Sequence, residues 1–132
     1  MRPPLRLAHM PARYSTVLIE GDSMLPTFSS GDWLLARWGS FSLKSQTGFL
    51  RGIFSGGIFS SGISVDDVLT IELANQPGIF YVKRVSKIDR EKHELYLLSD
   101  NPEGTDSRQW GWLPISSARA KVICRVRKTR AR

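Results

Sequence analysis

Short apolar runs alternate with clusters of Gly, Pro, Asn and Asp along most of this chain. No long stretch repeats its apolar residues with the period of a helix, so strands are the expected elements. Strands are predicted at 14–20, 32–38, 67–73, 79–86, 94–99 and 121–127, with turns at 29–31 and 76–78. One short helix is predicted to start at Pro114, because proline suits a first helical turn. The pattern predicts a compact, mainly β fold with at most short helices.

Residues 39–64 depart from this pattern. Glycine and serine alternate there with apolar side chains, and the segment holds four of the six phenylalanines of the chain. We expect a flexible Gly/Ser/Phe-rich insertion in a single domain, because 132 residues fit one core. Two interpretations stay open. The insertion is a plain surface loop, or its phenylalanines cover a peptide groove or contact a membrane peripherally.

The positive charge of the chain is concentrated at one end. The formal net charge is +7, and five of the 19 basic residues lie in the last eight positions. A basic C-terminal tail at 125–132 is therefore predicted, on a body that is close to neutral. Such a tail is typically solvated, although it can help a protein to sit on an acidic partner or an anionic membrane. We expect no nucleic-acid partner.

Metal, disulfide and membrane signals are weak. Cys124 is the only cysteine, and His9 and His93 have no neighbours at metal-ligand spacing, so we expect no metal and no cofactor. A lone cysteine indicates a reducing compartment. The N-terminal residues lack a secretory apolar region, and no run is long enough to span a bilayer. A cytoplasmic protein without a transmembrane anchor is the expectation.

A serine follows the apolar residues Val17–Ile19 directly, within the sequence GDSMLPT at 21–27. Glycine lets the backbone approach closely, and Pro26 stiffens the turn that would hold Ser23 in one orientation. Met24 can line a hydrophobic subsite. Taken alone, the segment is better explained as an Asp–Ser turn without chemistry.

A lysine lies inside the apolar strand Phe80–Val85. With a period of two, Lys83 shares its face with Tyr81 and Val85. Burial there lowers the pKa of the lysine, which would let it accept a proton from a serine hydroxyl. The alternative is a lysine on the solvent face of an edge strand.

The third polar element is the loop Ser99–Arg108, which leaves the apolar run 95–98. It is rich in hydrogen-bonding groups, which can orient a lysine amine through a hydroxyl. An ion pair between Asp106 and Arg108, or between Asp106 and another arginine, would lock the loop. As an isolated segment it would be an ordinary surface turn.

Together and in this order, the three elements resemble the boxes of the type I signal peptidase superfamily. Those boxes are G-x-S-M-x-P-T, a strand with K-R-V, and G-D-N-x-x-S-x-D-S-R. The resemblance runs from about Val17 to Gly111, interrupted by the insertion, and residues 31–35 resemble an intermediate strand of the family. It implies a signal-peptidase-like or LexA-like β fold and a serine endopeptidase with a Ser/Lys dyad and no metal.

The resemblance also implies roles for single residues. Ser23 matches the nucleophile, its backbone N–H an oxyanion donor, and Lys83 the general base. Asp22 and Met24 are expected to contact the substrate. Some members carry an oxyanion-hole serine two positions before the nucleophile, but that position is Gly21 here, so this donor is absent or replaced.

The supporting residues implied by the last box are Thr105, Asp106 and Arg108. The family's lysine-contacting serine has no clear counterpart in this loop. Thr105 is the predicted substitute, and Asp106 with Arg108 is expected to organise the loop beneath the lysine.

The chain resembles most the small anchorless members that process nickel-type superoxide dismutase precursors, which carry a D-N-P…T-D-S-R form of the last box. The implied substrate is a precursor with a cleavable N-terminal extension. Three alternatives are kept: a signal peptidase-like enzyme acting at the membrane on exported preproteins, a LexA/UmuD-type self-cleaving protein, and a non-enzymatic β domain that binds nucleic acid through its basic tail.

Overall fold

The computed structural model describes residues 13–43 and 62–128, and it is mainly β, as predicted. The nine strands of these ranges are β1 Arg13–Leu18, β2 Trp33–Trp38, β3 Ser42–Leu43, β4 Gly62–Ile63, β5 Val68–Glu72, β6 Phe80–Asp89, β7 Glu94–Leu98, β8 Leu113–Pro114 and β9 Ala118–Arg127. Within the described ranges, helix is limited to a four-residue α1, Ser107–Trp110, and a 3-10 turn, Ile115–Ser117. All six predicted strands are present.

Seven strands form one antiparallel sheet in the order β1-β2-β9-β5-β6-β7-β8, and β3 and β4 form a separate parallel pair. The final strand β9 therefore lies between β2 and β5 and joins the two halves of the chain. This arrangement puts β1 at one edge of the sheet. Among the described strands, it also leaves the first residues of β6 paired with β5 alone, because β7 pairs with β6 only from Arg84 onward.

The core follows from the alternation of side chains along these strands. Leu69 and Ile71 on β5, Val85 on β6, and Leu95 and Leu97 on β7 have no exposed surface. Their intervening neighbours face the other side of the sheet, as the two-residue period of a strand requires. One buried apolar cluster thus underlies the middle of the sheet and fixes the position of β6.

The described ends of the predicted insertion belong to this core. Ile63 is fully buried within the apolar cluster, and Phe41 and Leu43 pack against it. The predicted flexible segment 39–64 is therefore too wide at both of its ends. Residues 44–61, with their predicted contact to a groove or a membrane, lie outside the described residues.

The C-terminal tail is shorter than predicted. Residues Ala118–Arg127 continue as strand β9, so residues 125–127 are part of the sheet. Arg125 donates from Nη1 to the carbonyl of Thr27 at 3.1 Å and lies 3.4 Å from the carboxylate of the buried Asp32. The side chain of Arg125 thus supports the turn after β1. Residues 129–132 lie outside the described part.

Candidate active site

The turn after β1 places Ser23 at the mouth of a groove. Gly21 has a φ of 89°, a left-handed conformation that favours glycine. The turn is closed by bonds from Leu25 N–H to the Asp22 carbonyl, 3.1 Å, and from Phe28 N–H to the Met24 carbonyl, 2.9 Å. Met24 is buried, Ser23 is half-buried and Asp22 is exposed. The serine hydroxyl is therefore carried by a well-defined turn rather than by a free loop.

Loop 99–106 holds this turn from the other side. Asn101 donates from its backbone N–H to the Ser23 carbonyl and from Nδ2 to the Asp22 carbonyl, both at 2.9 Å. Thr27 Oγ1 donates to Asp100 Oδ2 at 2.6 Å. Three hydrogen bonds thus connect the serine turn to a loop that is distant in sequence.

The same loop is joined to β6 by a bidentate ion pair. Arg84 Nε and Nη2 each donate to a carboxylate oxygen of Asp100 at 2.8 Å. This pairing raises the pKa of Arg84 and lowers the pKa of Asp100 through the shared hydrogen bonds. Because Arg84 follows Lys83, the pair fixes β6 relative to the loop and, through Asp100, relative to the serine turn.

Lys83 is buried in the sheet, as its position among apolar residues predicted, with 2% of its surface exposed. Its Nζ donates to Ser99 Oγ at 3.0 Å and lies 5.8 Å from the ring centroids of both Tyr81 and Trp110. Within 13–43 and 62–128, Nζ has no hydrogen bond to Ser23. The amine is thus enclosed by two rings and one neutral hydroxyl.

Burial determines the protonation of this lysine. Removal from water lowers the pKa of Lys83, and the negative charge of Asp106 partly opposes that shift. Desolvation dominates because the carboxylate is already engaged by other donors. The amine therefore gives up its proton at a lower pH than an ordinary lysine.

Asp106 organises the loop beneath Lys83 and is fully buried. It caps α1 by accepting the Arg108 N–H at 3.0 Å, accepts the Ser99 N–H at 2.7 Å, and forms an ion pair with Arg108 at 2.9 Å. Burial alone would raise the pKa of Asp106, but the hydrogen bonds from Arg108 and Ser99 lower it to about 2. The predicted pair between Asp106 and Arg108 is present.

Ser99 supplies the hydroxyl that contacts the lysine, in the place where Thr105 was predicted. Ser99 Oγ accepts from Lys83 Nζ and donates to the Thr105 carbonyl at 3.3 Å. Thr105 itself is exposed and contributes its backbone, not its hydroxyl, to this contact. The sequence offered one signal for Ser99, its position at the exit of β7, but nothing that ranked it above Thr105.

Gly104 lies where the two serines approach each other. A Cβ atom added at this residue would collide with Ser99 Oγ, would lie 2.7 Å from Ser99 Cβ and would lie 3.0 Å from Ser23 Cβ. Only a residue without a side chain fits at such a position. Ser23, Ser99 and, through Ser99, Lys83 therefore meet around one small space.

A groove of about 440 Å³ leads to Ser23. One wall is the end of β1 with the following turn and the other is the start of β6, and the lining residues are Val17, Leu18, Ile19, Glu20, Ser23, Met24, Gly78, Ile79, Phe80, Tyr81 and Val82. Most of these side chains are apolar. The groove is therefore bounded by two strand segments and has the serine within it.

Neither a metal cluster nor a membrane-spanning helix is found among the described residues. Cys124 is exposed. The sequence did not single out Ser99, Asp100 or Asn101 individually as site residues.

The chain was compared with protein-family models and with curated proteins. No family model matches it, and no curated protein matches it.

Proposed function

We propose that this protein is a serine endopeptidase in which Ser23 is the nucleophile and Lys83 the general base. The proposal is carried by the amine of Lys83, which is buried, has a lowered pKa and donates to Ser99 Oγ at 3.0 Å. Ser99 and the groove serine Ser23 both border the space at Gly104. Burying a lysine costs free energy unless its charge is paired or lost. A role of Lys83 as the general base for the Ser23 hydroxyl would explain why a lysine is buried here despite this cost.

In the proposed reaction, neutral Lys83 takes the proton of Ser23 while Oγ attacks the scissile carbonyl carbon. The C–O bond forms as the carbonyl π bond moves its electron pair to oxygen. The Ser23 N–H, which has no acceptor within the described ranges, is the donor assigned to that oxyanion. The bond between Oγ and Nζ forms in the substrate complex, since such contacts tighten when the site is occupied.

Collapse of the tetrahedral intermediate breaks the C–N bond. The ammonium of Lys83 gives its proton to the leaving amine and becomes neutral again, and the acyl group stays on Ser23 as an ester. Water then attacks this ester with Lys83 once more as the base, which releases the carboxylate product and restores the hydroxyl. The cycle needs no metal and no cofactor.

The groove fits an extended peptide. Within the described residues, β1 is paired only with β2, and the first residues of β6, Phe80–Lys83, only with β5. Free strand edges therefore flank the groove, and an extended substrate can add to them through main-chain hydrogen bonds. The apolar side chains of Ile19, Met24 and Tyr81 would take small or apolar substrate side chains.

The proposed substrate is a precursor with a short N-terminal extension. The resemblance to proteases that process nickel superoxide dismutase precursors motivates this choice. The direct test is to incubate the purified protein with such a precursor and to sequence the N-terminus of the product. Cleavage at one site should occur with the unaltered protein and should disappear with Ser23→Ala and Lys83→Ala.

Matched controls separate chemistry from damage to the fold. Ser116→Ala removes an exposed serine, and Lys87→Ala removes an exposed lysine from the same strand as Lys83. Both should cleave at the normal rate. Cleavage that persists in Ser23→Ala would overturn the proposal. Loss of cleavage in both controls would show that the assay reports folding.

Action at a membrane is the second candidate function. Leu18, Ile79 and Phe80 line the groove with about half of their surface exposed, 40%, 51% and 46% respectively. An exposed apolar rim is typical of a surface that contacts a partner or a bilayer. Flotation with anionic liposomes tests this function: co-flotation lost in Phe80→Ser supports it, and protein that stays in the soluble fraction contradicts it.

A further inference from the structure

A second cavity lies farther along β6 than the groove. It has a volume of about 290 Å³ and is bordered by residues 84–86 of β6, by residues 98–100 where β7 ends, and by Asp66. The groove borders β6 only as far as Val82, so Lys83 separates the two cavities along the strand. We infer that this second cavity is a subsite for a cationic side chain of the substrate, on the side of the scissile bond that carries the leaving amine. The inference rests on the proposed function and names a substrate feature that the site selects.

The route of the substrate places its leaving half at the second cavity. In the proposed reaction Lys83 returns a proton to the leaving nitrogen, so that nitrogen must come within hydrogen-bond reach of Nζ. The chain that follows the nitrogen then passes Lys83 toward Arg84. Val82 and Arg84 face the same side of β6 and lie about 6.6 Å apart along it, a distance that an extended substrate spans with two residues. One of the first three residues after the scissile bond therefore reaches the second cavity.

The contacts that the protein offers change at this point of the strand. At Arg84, β6 is paired with β5 on one side and with β7 on the other, so no free edge remains for main-chain hydrogen bonds. Recognition there must come from a substrate side chain. Of the residues that border the second cavity, Asp100 accepts from Thr27 Oγ1 at 2.6 Å. Ser99 accepts from Lys83 Nζ at 3.0 Å. The second cavity is therefore joined to the elements that hold the groove serine and the buried lysine.

The second cavity carries one negative charge that no described residue balances. All three nitrogens of the Arg84 guanidinium are engaged, Nε and Nη2 by Asp100 at 2.8 Å and Nη1 by the Asp66 carbonyl at 3.0 Å. The Asp66 carboxylate is exposed and has neither a hydrogen bond nor an ion pair within 13–43 and 62–128. The hydrogen bonds of Asp100 raise the pKa of Arg84, and the charge of Asp66 adds to this rise. Arg84 and Asp100 cancel, and the charge of Asp66 is left over.

The groups that remain free at the second cavity accept hydrogen bonds. Besides the Asp66 carboxylate, the hydroxyl of the half-buried Ser86 has no hydrogen bond to another described residue. A lysine ammonium or an arginine guanidinium brings only donors and supplies the missing positive charge. A glutamate would bring acceptors and a further negative charge, while the donors of Arg84 are already used. The second cavity therefore favours Lys or Arg and disfavours Asp or Glu.

The first test is a series of peptides that differ at one position. N-terminal sequencing of the cleaved precursor gives the scissile bond, and lysine, glutamine or glutamate is then placed at each of the three positions before it and after it. At one position after the bond, lysine should raise kcat/KM about fivefold over glutamine, as a partly exposed ion pair does, and glutamate should lower it. The advantage of lysine should shrink in about 1 M salt. A preference for glutamate, or one for lysine only before the bond, would overturn the inference.

The variant Asp66→Asn removes the charge and keeps the backbone. Asp66 has a φ of 77°, in the left-handed region that Asp and Asn both tolerate, and its N–H donates to the Val85 carbonyl at 2.8 Å. In this variant the ratio of kcat/KM between the lysine and glutamine peptides should fall to about one. Glu91→Gln removes an exposed acid from the turn between β6 and β7 and should keep the normal ratio. An unchanged ratio in Asp66→Asn would show that Asp66 does not select the substrate.

A binding measurement distinguishes failure of the subsite from failure of the proposed function. In the Ser23→Ala protein, calorimetry compares a peptide of alanine and serine that carries one central lysine with the same peptide carrying glutamine. The lysine peptide should bind about fivefold more tightly, and adding Asp66→Asn should remove the difference. If the unaltered protein cleaves no peptide, the proposed function fails and this measurement decides on the subsite: a difference that depends on Asp66 supports it, and equal binding overturns it. Cleavage without a preference for lysine overturns the subsite alone.

Discussion

Lys83 and Lys121 are both buried lysines, and they lie on either side of the same residue. Each is 2% exposed, and each is the cross-strand partner of Leu69 on β5. Lys121 Nζ donates to the Gly62 carbonyl at 2.8 Å and lies 3.6 Å from the carboxylate of Asp67. Lys83 instead has a neutral hydroxyl and two aromatic rings. Burial is common to the two lysines, and the partners differ.

The difference in partners explains why Lys83, and not Lys121, is the proposed base. Lys121 pairs with the carboxylate of Asp67 and donates to the Gly62 carbonyl, and these contacts tie β9 to the start of β4. The carboxylate whose charge acts on Lys83, Asp106, is already engaged by Arg108 and Ser99. Desolvation then prevails and lowers the pKa of Lys83. The comparison yields five predictions.

The largest effect is expected on activity when arginine replaces each lysine. Lys83→Arg should be as inactive as Lys83→Ala, with a loss of several orders of magnitude, because an arginine is always protonated and cannot act as a base. Lys121→Arg keeps the required charge and should stay within about tenfold of the normal rate per folded molecule. Substantial activity in Lys83→Arg would remove Lys83 from the role of base.

The second prediction concerns the pH dependence of the rate. Only the neutral amine is competent, so kcat should rise about tenfold per pH unit below the lowered pKa of Lys83 and then level off. Lys121→Arg should leave the position of this limb unchanged. A rate that is flat between about pH 5 and 9, with chemistry shown to be rate-limiting, would contradict the proposed base.

The sequence predicted the strands and the burial of Lys83 well, for a physical reason. Alternation with a period of two identifies strands that are buried on one face, and all six predicted strands are present. Lys83 was found because an ammonium among apolar strand residues is costly. Lys121, on the mixed strand β9, is buried as well, and only the fold shows that Asp67 and Gly62 lie beside it.

The residues that surround Lys83 in the loop after β7 could not be identified from the local sequence pattern. In the last box a glycine stands first and a serine sixth, whereas this chain has Ser99 first and Gly104 sixth. Which hydroxyl contacts Lys83 depends on how the loop backbone folds. That is fixed by Asp106 within the loop and by the contact of Asn101 with the distant Ser23. The position of β9 between β2 and β5 is likewise a long-range pairing that no local run encodes.

The third prediction concerns Asp106. Its carboxylate is paired with Arg108 and therefore does not serve as the direct ionic partner of Lys83. Its pKa of about 2 lies below the unfolded value, so its stabilising contribution of about 2 to 3 kcal/mol is complete above about pH 4 and is lost as the pH falls toward 2. Asp106→Ala should therefore lower the free energy of unfolding by about that amount at neutral pH and should reduce activity. Urea unfolding at several pH values measures the effect.

Glu103→Ala is the matched control for Asp106. Glu103 is an exposed acid in the same loop, and its backbone bond to Asn101 is kept in the variant. Its unfolding should change by less than about 0.5 kcal/mol. If Asp106→Ala melts and reacts as Glu103→Ala does, the cap and the ion pair of Asp106 contribute nothing measurable to stability or activity.

The fourth prediction concerns Lys121→Met. The change takes this donor from the half-buried Gly62 carbonyl and a positive partner from Asp67, so the free energy of unfolding should fall by about 1 to 3 kcal/mol. The activity of the folded fraction should be kept. An unchanged Tm would show that the contacts of Lys121 contribute nothing and would weaken the contrast with Lys83.

The smallest effect, and the one with the opposite sign, is expected for Lys83→Met. The pKa of Lys83 is lowered in the folded state by burial, so protonated Lys83 opposes folding below that pKa, and this cost vanishes as the pH rises toward the unfolded value. Methionine fills a similar volume without a charge, and Ser99 keeps its bond to Thr105. We therefore expect Lys83→Met to be inactive but more stable by about 1 kcal/mol or less near neutral pH. The gain should shrink at alkaline pH, where the normal lysine is neutral as well.

Urea unfolding of the normal protein and both methionine variants, in parallel from pH 6 to 10, measures this change in stability. A loss of stability in Lys83→Met as large as that in Lys121→Met, at every pH, would mean that Lys83 is a structural cation like Lys121, and the proposed base would have to be abandoned.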